Sequence, residues 1–508
     1  MFDKKVLCLG DAREDTDLKV SELAHTNNTQ NYGLINDRDY VPEKFGYYHT
    51  TTVDLDLGDI IAIHGHFDKI ILLAQPIEQW SHPEIFVSTY KILADLKEKE
   101  IEVEFQDPST VETIQFFTNL LETNKAFCIY PFMHLLEQDG NSVVCVRSSN
   151  PIKPLAAIKD WQTDPDYTKI REHMIAGHQM PEHCNHCYKL ESKEGDKGVR
   201  FHETIKWTSV LGIKNLNDLK KIKNPAYVEV RVSNKCNIRC RSCTPQYSHL
   251  IDKEFKSIGT DIEEFSNTKT WPKYSSFDMV DLDTVHTVYI TGGEPTIMPE
   301  VYQFLRDCIS NGRTDINLMM NTNAVTLSTT LIELFSQFPN LGFSCSIDGV
   351  GLANDYIRWD SKFDTTVKNI KRLQAQGHHV AFISVISIYN VDKIGELFEF
   401  FDTEFTKCPI QLQHGGSEGN IIDCFNRPDH KSCIESLTRA KNTNVYYNYS
   451  RGTKSIIDTM LLHYSKNPKL DEERFNKFFR YNDTLDRSRK SNLIDYLPAL
   501  HELRRYAP

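Results

Sequence analysis

The sequence predicts an α/β protein built around a parallel sheet of six strands, open or curled into a partial (β/α)6 barrel. Six short stretches rich in Ile, Val and Leu alternate with stretches whose apolar residues recur at helical spacing. Strands joined by such helices run parallel, because the helix returns the chain to the same edge of the sheet. The predicted strands are Tyr227–Ser233, Thr287–Ile290, Ile316–Met320, Gly342–Ile347, Val380–Ile388 and Ile410–Gln413.

Helical patterns fill the intervals between these strands. In parallel α/β folds the chemistry is found at the C-terminal ends of the strands. We therefore expect functional side chains directly after the predicted strands. The clearest predicted helices are Glu300–Asn311, Leu327–Phe338, Thr365–Gln376 and Lys393–Phe401.

Regions of different character flank this core. Residues 1–120 alternate strand-like and helix-like stretches and predict a small α/β domain, whereas residues 121–205 hold four cysteines and several turns. Residues 206–415 form the core, and residues 416–508 predict a charged helical extension that serves as a cap or a partner surface. The N-terminal elements are predicted at Lys5–Leu9, Ile60–Ile63, Lys69–Ala74, Glu84–Glu100 and Ile101–Phe105, and the C-terminal helices at Ile456–Tyr464 and Leu470–Tyr481.

Composition narrows the class of protein. The chain has 508 residues, of which 40% are apolar and 25% charged, so it has ample material for packed cores. The net charge of −12 argues against a general binder of nucleic acid, which is usually basic. Membrane spans need about 18 or more apolar residues in a row, and none occurs, so we expect a cytoplasmic protein without a membrane anchor. The 13 cysteines are then more typical of metal ligands than of disulfides.

A first cysteine group directly follows the strand Tyr227–Ser233. Cys236, Cys240 and Cys243 have the spacing C-x3-C-x2-C, which lets three sulfurs converge on one metal centre. Three cysteines on a [4Fe–4S] cluster leave one iron open to an external ligand. The spacing also permits zinc, with His249 as a fourth ligand.

A second motif, Gly292-Gly293-Glu294, follows the next predicted strand. Its glycines let the backbone approach a ligand closely, and a buried carboxylate can hold an ammonium group. With both motifs in this order, residues 226–415 resemble the radical S-adenosylmethionine (radical SAM) superfamily. The resemblance implies a [4Fe–4S] cluster on the three cysteines and a GGE motif that contacts the amino group of S-adenosylmethionine (SAM).

Less specific similarities to the same superfamily add candidate SAM contacts. The segment around Ser346 and Asp348 is similar to the fourth-strand segment of the SPASM/twitch branch, where a polar residue reaches the SAM ribose. Asn390 resembles another polar position on the SAM side. Ordinary turn or capping roles remain the alternatives for these residues, and Arg358 is expected to form a surface salt bridge or to hold a carboxylate. The residue before the third cysteine is usually large and apolar in the superfamily, but it is Ser242 here.

A second cysteine group precedes the core. Cys128, Cys145, Cys184 and Cys187 provide four thiolates, which fill a tetrahedral or cubane site completely. Spacing alone favours structural zinc. The pattern nevertheless resembles the twitch domain, together with the Phe127–Phe132 segment and a Glu191…Gly195…Arg200 series. That resemblance implies an auxiliary [4Fe–4S] cluster, in an unusual position before the core.

The predicted function is that of a radical SAM enzyme. The resemblance implies reductive cleavage of SAM, a 5′-deoxyadenosyl radical that abstracts hydrogen, and an electron donor of the flavodoxin or ferredoxin type. The substrate is not identified by the sequence, and peptides and proteins are among the classes on which twitch and SPASM relatives act. The alternative is a zinc-knot interaction or scaffold protein without catalysis, for which both cysteine groups would be structural.

Overall fold

The computed structural model describes residues 108–507 apart from 139, 149, 195–198, 260–276, 407, 416–420 and 449–450, and five strands before residue 108. The predicted elements Ile60–Ile63 and Glu84–Glu100 lie outside the described residues. The chain divides into two compact units. The first comprises Met1–Leu135, Val143–Lys153 and Ala157–Asn224, and the second Leu136–Ser142, Pro154–Ala156 and Pro225–Pro508. The division into four domains remains a prediction.

The first unit contains a five-stranded sheet with the order β3-β2-β1-β4-β5, in which the paired strands are parallel. The predicted strands at residues 5, 69 and 101 are confirmed within two residues at each end. Two further strands were not predicted, because their polar residues interrupt the apolar pattern. The bounds are β1 Lys5–Leu9, β2 Gln30–Ile35, β3 Tyr48–Thr50, β4 Lys69–Leu72 and β5 Glu102–Phe105.

Helices make up most of the remaining described part of the first unit. Asp164 caps one of them, since its carboxylate accepts hydrogen bonds from the amides of Asp166 and Tyr167. The bounds are α1 Pro108–Thr123, α2 Tyr130–Met133, α3 Pro165–Ile175, α4 Pro181–Glu194 and α5 Val199–Val210.

The second unit is built on a β-sheet that contains the six predicted strands. These strands are confirmed, and they pair in parallel. They stand in the order β16-β15-β13-β12-β11-β9, so that consecutive parallel strands are neighbours. Three short strands, β6 His134–Gln138, β7 Asn141–Val143 and β8 Lys153–Pro154, continue the sheet beyond β9. The six main strands are β9 Tyr227–Arg231, β11 Thr287–Thr291, β12 Asn317–Thr322, β13 Leu341–Ser346, β15 His379–Ile386 and β16 Ile410–His414.

The connecting helices pack on this sheet as the sequence predicts. Strand β13 alternates buried and half-buried residues, and its buried members Phe343 and Cys345 join the main apolar core. Two small strands, β10 Arg239–Cys240 and β14 Arg358–Trp359, form a separate antiparallel pair. The helices are α6 His249–Ile258, α7 Pro299–Ser310, α8 Thr329–Phe335, α9 Leu352–Ile357, α10 Phe363–Ala375 and α11 Ile394–Glu404.

The C-terminal part is helical, as predicted. Its longest helix, α15, begins after Asp471, whose side chain caps the amide of Arg474. It ends at Arg489, and the next residue, Lys490, adopts a left-handed conformation at φ 53°. No helix in the described part of the chain is long and apolar enough to cross a membrane. The bounds are α12 His430–Lys441, α13 Asn444–Asn448, α14 Arg451–Ser465, α15 Glu472–Arg489, α16 Leu493–Tyr496 and α17 Pro498–Glu502.

Candidate functional site

The three-cysteine loop lies between β9 and α6, at the C-terminal edge of the parallel sheet. Cys236, Cys240 and Cys243 are all partly exposed. Burial raises the pKa of Cys236 to about 12, and the neighbouring Cys240 thiol acts in the same direction. Burial likewise raises the pKa of Cys243, with Cys240 and Cys236 adding to the effect. The three thiols therefore share one electrostatic environment, as ligands of one centre must.

His249 supports this loop from the start of α6. Its Nδ1 accepts a hydrogen bond of 3.1 Å from the backbone amide of Cys236. Its own backbone amide donates to the carbonyl of Asn234 at 3.0 Å. The sequence left His249 open as a fourth zinc ligand. In the structure its Nδ1 holds the backbone of the first cysteine, and the role of His249 as a zinc ligand stays a prediction.

The GGE motif is joined directly to the cysteine loop. The amide of Gly293 donates to the carbonyl of Ser233 at 2.6 Å, and that of Glu294 to Lys235 at 2.8 Å. A Cβ on Gly292, whose φ is +130°, would lie 2.5 Å from the Ser233 carbonyl oxygen. A Cβ on Gly293 would lie 2.6 Å from the carbonyl carbon of Lys235. Both glycines therefore allow close approach to the cysteine loop's own backbone, in addition to any ligand.

The Glu294 carboxylate is buried and accepts four hydrogen bonds. Oε1 receives them from the amide and hydroxyl of Thr296, at 3.1 and 2.7 Å, and from the hydroxyl of Thr322 at 2.8 Å. Oε2 receives one from the amide of Asn323 at 2.7 Å. Burial raises the pKa of Glu294, and these hydrogen bonds oppose the rise. The carboxylate thus ties the ends of β11 and β12 together, while its contact with a SAM amino group stays a prediction.

Asp348 and Asn390 form a second buried polar junction at the same edge. Asp348 Oδ1 accepts from the amide of Val385 at 2.7 Å, and Oδ2 from Nη1 of Arg358 at 2.8 Å. Asn390 Nδ2 donates to the carbonyls of Asp348 and Val385 at 2.7 and 2.8 Å. Ser346, the last residue of β13, is half-buried. The junction locks the ends of β13 and β15, and the three predicted SAM contacts remain predictions.

Arg358 differs from the surface salt bridge expected of it. Its side chain is 11% exposed, and its partner Asp348 is fully buried. It lies opposite Cys240 in the β10–β14 pair. Although burial lowers the pKa of Arg358, the charges of Cys240 and Asp348 outweigh that effect and hold it above its usual value. Sequence reasoning missed this placement, because nothing local indicates that β14 pairs with the cysteine loop.

The four cysteines of the second group all lie in the first unit. Cys128 precedes α2, Cys145 follows β7, and Cys184 and Cys187 lie one turn apart on α4. Burial, together with the charges of Cys145 and Cys187, raises the pKa of Cys184 to about 12. Burial also raises the pKa of Cys128 strongly, followed by the effect of Cys184. The four thiols that the sequence grouped are therefore electrostatic neighbours.

An arginine adjoins this second group. Arg200 is buried and donates to the Phe127 carbonyl at 2.5 Å. It also pairs with Glu191 at 2.7 Å. Its charge lowers the pKa of Cys128, Cys184 and Cys187 against the dominant effect of burial. Gly195, the middle residue of that series, lies outside the described residues.

The donor sets fit the groups that the sequence implies. Thiolate sulfur is the ligand that iron–sulfur clusters use, and three thiolates leave a vertex free where four do not. Within the described parts of the chain, no three His, Cys, Asp or Glu side chains form a group that could hold a metal ion. The fit therefore rests on the identity of the donors and their shared electrostatic environment.

A comparison with known protein families identifies the central segment of the chain. Residues 230–401 match the family model of the radical SAM superfamily. This segment is a radical SAM domain. It includes the three-cysteine loop, the GGE motif, Asp348 and Asn390. The four cysteines of the second group and helix α15 lie outside the domain.

Curated relatives match only short parts of the chain. An uncharacterized protein of Methanothermobacter thermautotrophicus is 30% identical over 115 residues, which are 22% of this chain and 43% of that protein. GTP 3′,8-cyclase of Campylobacter fetus is 32% identical over 103 residues, 20% of this chain and 28% of the cyclase. The matches thus span less than half of these relatives' length.

Solved structures with similarity to the chain include two with bound SAM. Native anSMEcpe with bound AdoMet has a TM-score of 0.32 and 15% identity, covering 46% of this chain and 66% of that one. SuiB of Streptococcus suis bound to S-adenosylmethionine has a TM-score of 0.30 and 16% identity, covering 55% and 62%. The assignment of the radical SAM domain rests on the family model.

Proposed function

We propose that the protein is a radical SAM enzyme that reductively cleaves SAM and uses the 5′-deoxyadenosyl radical to abstract hydrogen from its substrate. One observation carries the proposal: the three-cysteine loop is hydrogen-bonded to the GGE motif at the C-terminal ends of β9 and β11. The two amide donors, Gly293 and Glu294, reach the carbonyls of Ser233 and Lys235. The two motifs therefore form one built site within a radical SAM domain.

In this proposal Cys236, Cys240 and Cys243 hold a [4Fe–4S] cluster with one open iron. When bound and reduced by a flavodoxin- or ferredoxin-type donor, such a cluster supplies one electron to SAM, which breaks into methionine and the radical. The raised pKa values of the thiols mean that cluster binding must displace their protons. His249 holds the backbone of Cys236 in place for this ligation.

The polar groups at the strand ends would bind SAM. Arg358 places a buried cation beside Cys240, where it suits the carboxylate of a SAM molecule that chelates the open iron. Asp348 and Asn390 stiffen this edge through the hydrogen bonds that join β13 to β15. Ser346, at the end of β13, remains the candidate for a direct contact with the SAM ribose.

The second cysteine group would hold an auxiliary [4Fe–4S] cluster. Four thiolates, from Cys128, Cys145, Cys184 and Cys187, occupy all four irons and leave no vertex for substrate. Full ligation favours a role in electron transfer over direct substrate binding. Arg200 adds a buried positive charge to this site. Among substrates, we propose a peptide or protein, the class on which twitch and SPASM proteins often act.

Anaerobic turnover tests the proposal. The chain, reconstituted with iron and sulfide, is incubated with SAM and dithionite, and 5′-deoxyadenosine and methionine are measured by mass spectrometry. We expect both products in equal amounts, and none from Cys240→Ala. Cys308→Ala is the matched control, since Cys308 is a buried core thiol on α7, and it should keep the activity. Zinc without sulfide in the wild-type protein, or products from Cys240→Ala, would overturn the proposal.

A further inference from the structure

The C-terminal helix α15 packs directly against the three-cysteine loop. Tyr481 and Leu485 form an apolar cluster with Ile251 and Phe255 of α6, and Cys243 packs against that cluster. The hydroxyl of Tyr481 donates to the backbone carbonyl of Arg241, between the second and third cysteines, at 3.1 Å. The helix therefore contacts both the loop's backbone and one of its sulfur-bearing side chains, although it lies outside the radical SAM domain.

Arg241 fastens the loop to this helix. Its guanidinium is fully buried and donates to Asn482 at 3.0 Å and to Asp486 at 2.5 Å. The same group stacks on the ring of Tyr356, 3.6 Å from its centroid. Removing one partner of such a buried ion pair is strongly destabilising, because the other charge is left buried and uncompensated. The loop between Cys240 and Cys243 is thus held against α15.

A second buried arginine, Arg489, ends the helix at the same place. Its Nε and Nη2 donate to the two oxygens of Glu254, at 2.9 and 2.7 Å, and both side chains are almost completely buried. Its remaining nitrogen, Nη1, is buried and has no hydrogen-bond partner in the described part of the chain. A charged N–H buried without an acceptor is costly, which indicates that an acceptor is missing from the protein alone.

Arg489 lies beside the cysteine loop, because its partner Glu254 also accepts a hydrogen bond of 3.3 Å from Nη1 of Arg239, the residue directly before Cys240. Leu485, one turn earlier on the same helix, belongs to the apolar cluster against which Cys243 packs. The cysteine loop is therefore the neighbouring place where the missing acceptor can be sought. The sulfur atoms of an iron–sulfur cluster and its cysteines accept N–H hydrogen bonds, and such bonds help to set the reduction potential.

We propose that Arg489 of the C-terminal helix belongs to the three-cysteine site. There its Nη1 would donate a hydrogen bond to a sulfur atom of the [4Fe–4S] cluster or of its cysteines, and so raise the reduction potential of that cluster. This inference rests on the proposed function, since it concerns the same cluster. Glu254 sets the orientation of the guanidinium, and the Arg241–Asp486 pair keeps the helix against the loop. The C-terminal extension is then part of the catalytic apparatus rather than a separate cap.

Potentiometric titration monitored by electron paramagnetic resonance (EPR) tests the inference in the full chain. Arg489→Gln removes a positive charge and a donor, so the potential of the SAM-binding cluster should shift to a more negative value, with iron content retained. Arg474→Gln is the matched control. It removes an arginine near the start of α15, about 22 Å away along the helix, and should leave the potential unchanged.

Arg489→Lys covers the case in which the Gln variant does not retain its cluster. Lysine keeps the positive charge, but its single nitrogen cannot occupy the positions of Nε, Nη1 and Nη2 together. The potential should therefore again fall below the wild-type value, by a smaller shift. If Arg489→Gln keeps its full iron content and its potential is unchanged, this inference alone is overturned. If Arg489→Gln loses its cluster, an unchanged potential in Arg489→Lys at full iron content overturns it in the same way. A wild-type protein that binds no cluster at all would instead contradict the proposed function.

Discussion

Arg358 lies directly opposite Cys240, and its guanidinium is paired with the fully buried Asp348. This relationship connects the second cysteine of the loop to the end of the fourth parallel strand. A buried cation thus stands beside the proposed cluster and close to the polar groups at the strand ends. Two roles follow for it: neutralising the negative charge of a cluster, and binding an anionic group that docks there.

Replacement of Arg358 should weaken SAM binding more than it lowers cluster content. Arg358→Gln removes the cation and leaves Asp348 without its ion pair, so we expect at least about a tenfold loss of affinity, equivalent to about 1.4 kcal/mol. Calorimetric titration of the anaerobic, reconstituted protein measures this. Arg313→Gln, which breaks an ion pair with the exposed Asp315, is the control. Unchanged SAM affinity in Arg358→Gln would remove Arg358 from the site.

A methyl group at Gly293 should disrupt the cysteine loop. Its Cβ would overlap with the Lys235 backbone, which cannot move without shifting Cys236. We therefore expect Gly293→Ala to lose most of the iron of the first cluster while keeping that of the second. Gly342→Ala is the matched control, because its Cβ would meet the nearest atom, in His379, at an ordinary 3.8 Å. Iron analysis decides, and full iron in Gly293→Ala would contradict the close approach.

Glu294→Gln separates two roles of the carboxylate. In the variant an amide NH2 would face one of the fixed backbone donors, Asn323 or Thr296, so we expect a loss of about 1–3 kcal/mol in the free energy of unfolding. Urea denaturation measures this, with Glu300→Gln on the exposed first turn of α7 as the control. If instead stability were unchanged and the KM for SAM rose, the carboxylate would serve the ligand and not the strand ends.

His134 predicts a pH dependence in the first unit. It is 2% exposed, its Nδ1 lies 3.2 Å from the Val144 carbonyl, and burial lowers its pKa to about 4. An unfolded histidine, with a pKa of about 6.5, takes up its proton first as the pH falls. Stability is therefore lost between about pH 6.5 and pH 4, by roughly 3 kcal/mol in total. Urea denaturation at several pH values gives the free energy of unfolding of the wild type and of His134→Gln. Between about pH 6.5 and pH 4 this free energy should fall more steeply with falling pH in the wild type, and equal slopes would contradict the prediction.

Local patterns were sufficient to predict the framework of the second unit. The six parallel strands and their helices follow from the alternation of strand and helix periods, and the motifs after β9 and β11 lie at the edge where the topology places them. Parallel strands bring their C-terminal ends together, so the meeting of Cys236 and Glu294 follows from the strand order alone.

The supporting contacts could not be predicted, because they join residues far apart in the chain. Arg241 and Asp486 are separated by 245 positions, and Arg489 and Glu254 by 235. The position of Arg241 next to Cys240 could have indicated a supporting role for this arginine. Nothing in the sequence around Asp486, however, marks it as the partner. Glu294 was assigned to a ligand from the sequence, whereas its four donors come from its own turn and from the end of the next strand.

The most direct test of the account is the EPR spectrum of the reduced first cluster with and without SAM. In Cys184→Ala the second cysteine group is broken, so the remaining signal belongs to the three-cysteine loop. The account predicts a [4Fe–4S]+ signal whose g values change when SAM is added, because SAM occupies the open iron. Absence of any such signal, or a signal that SAM does not alter, would contradict it.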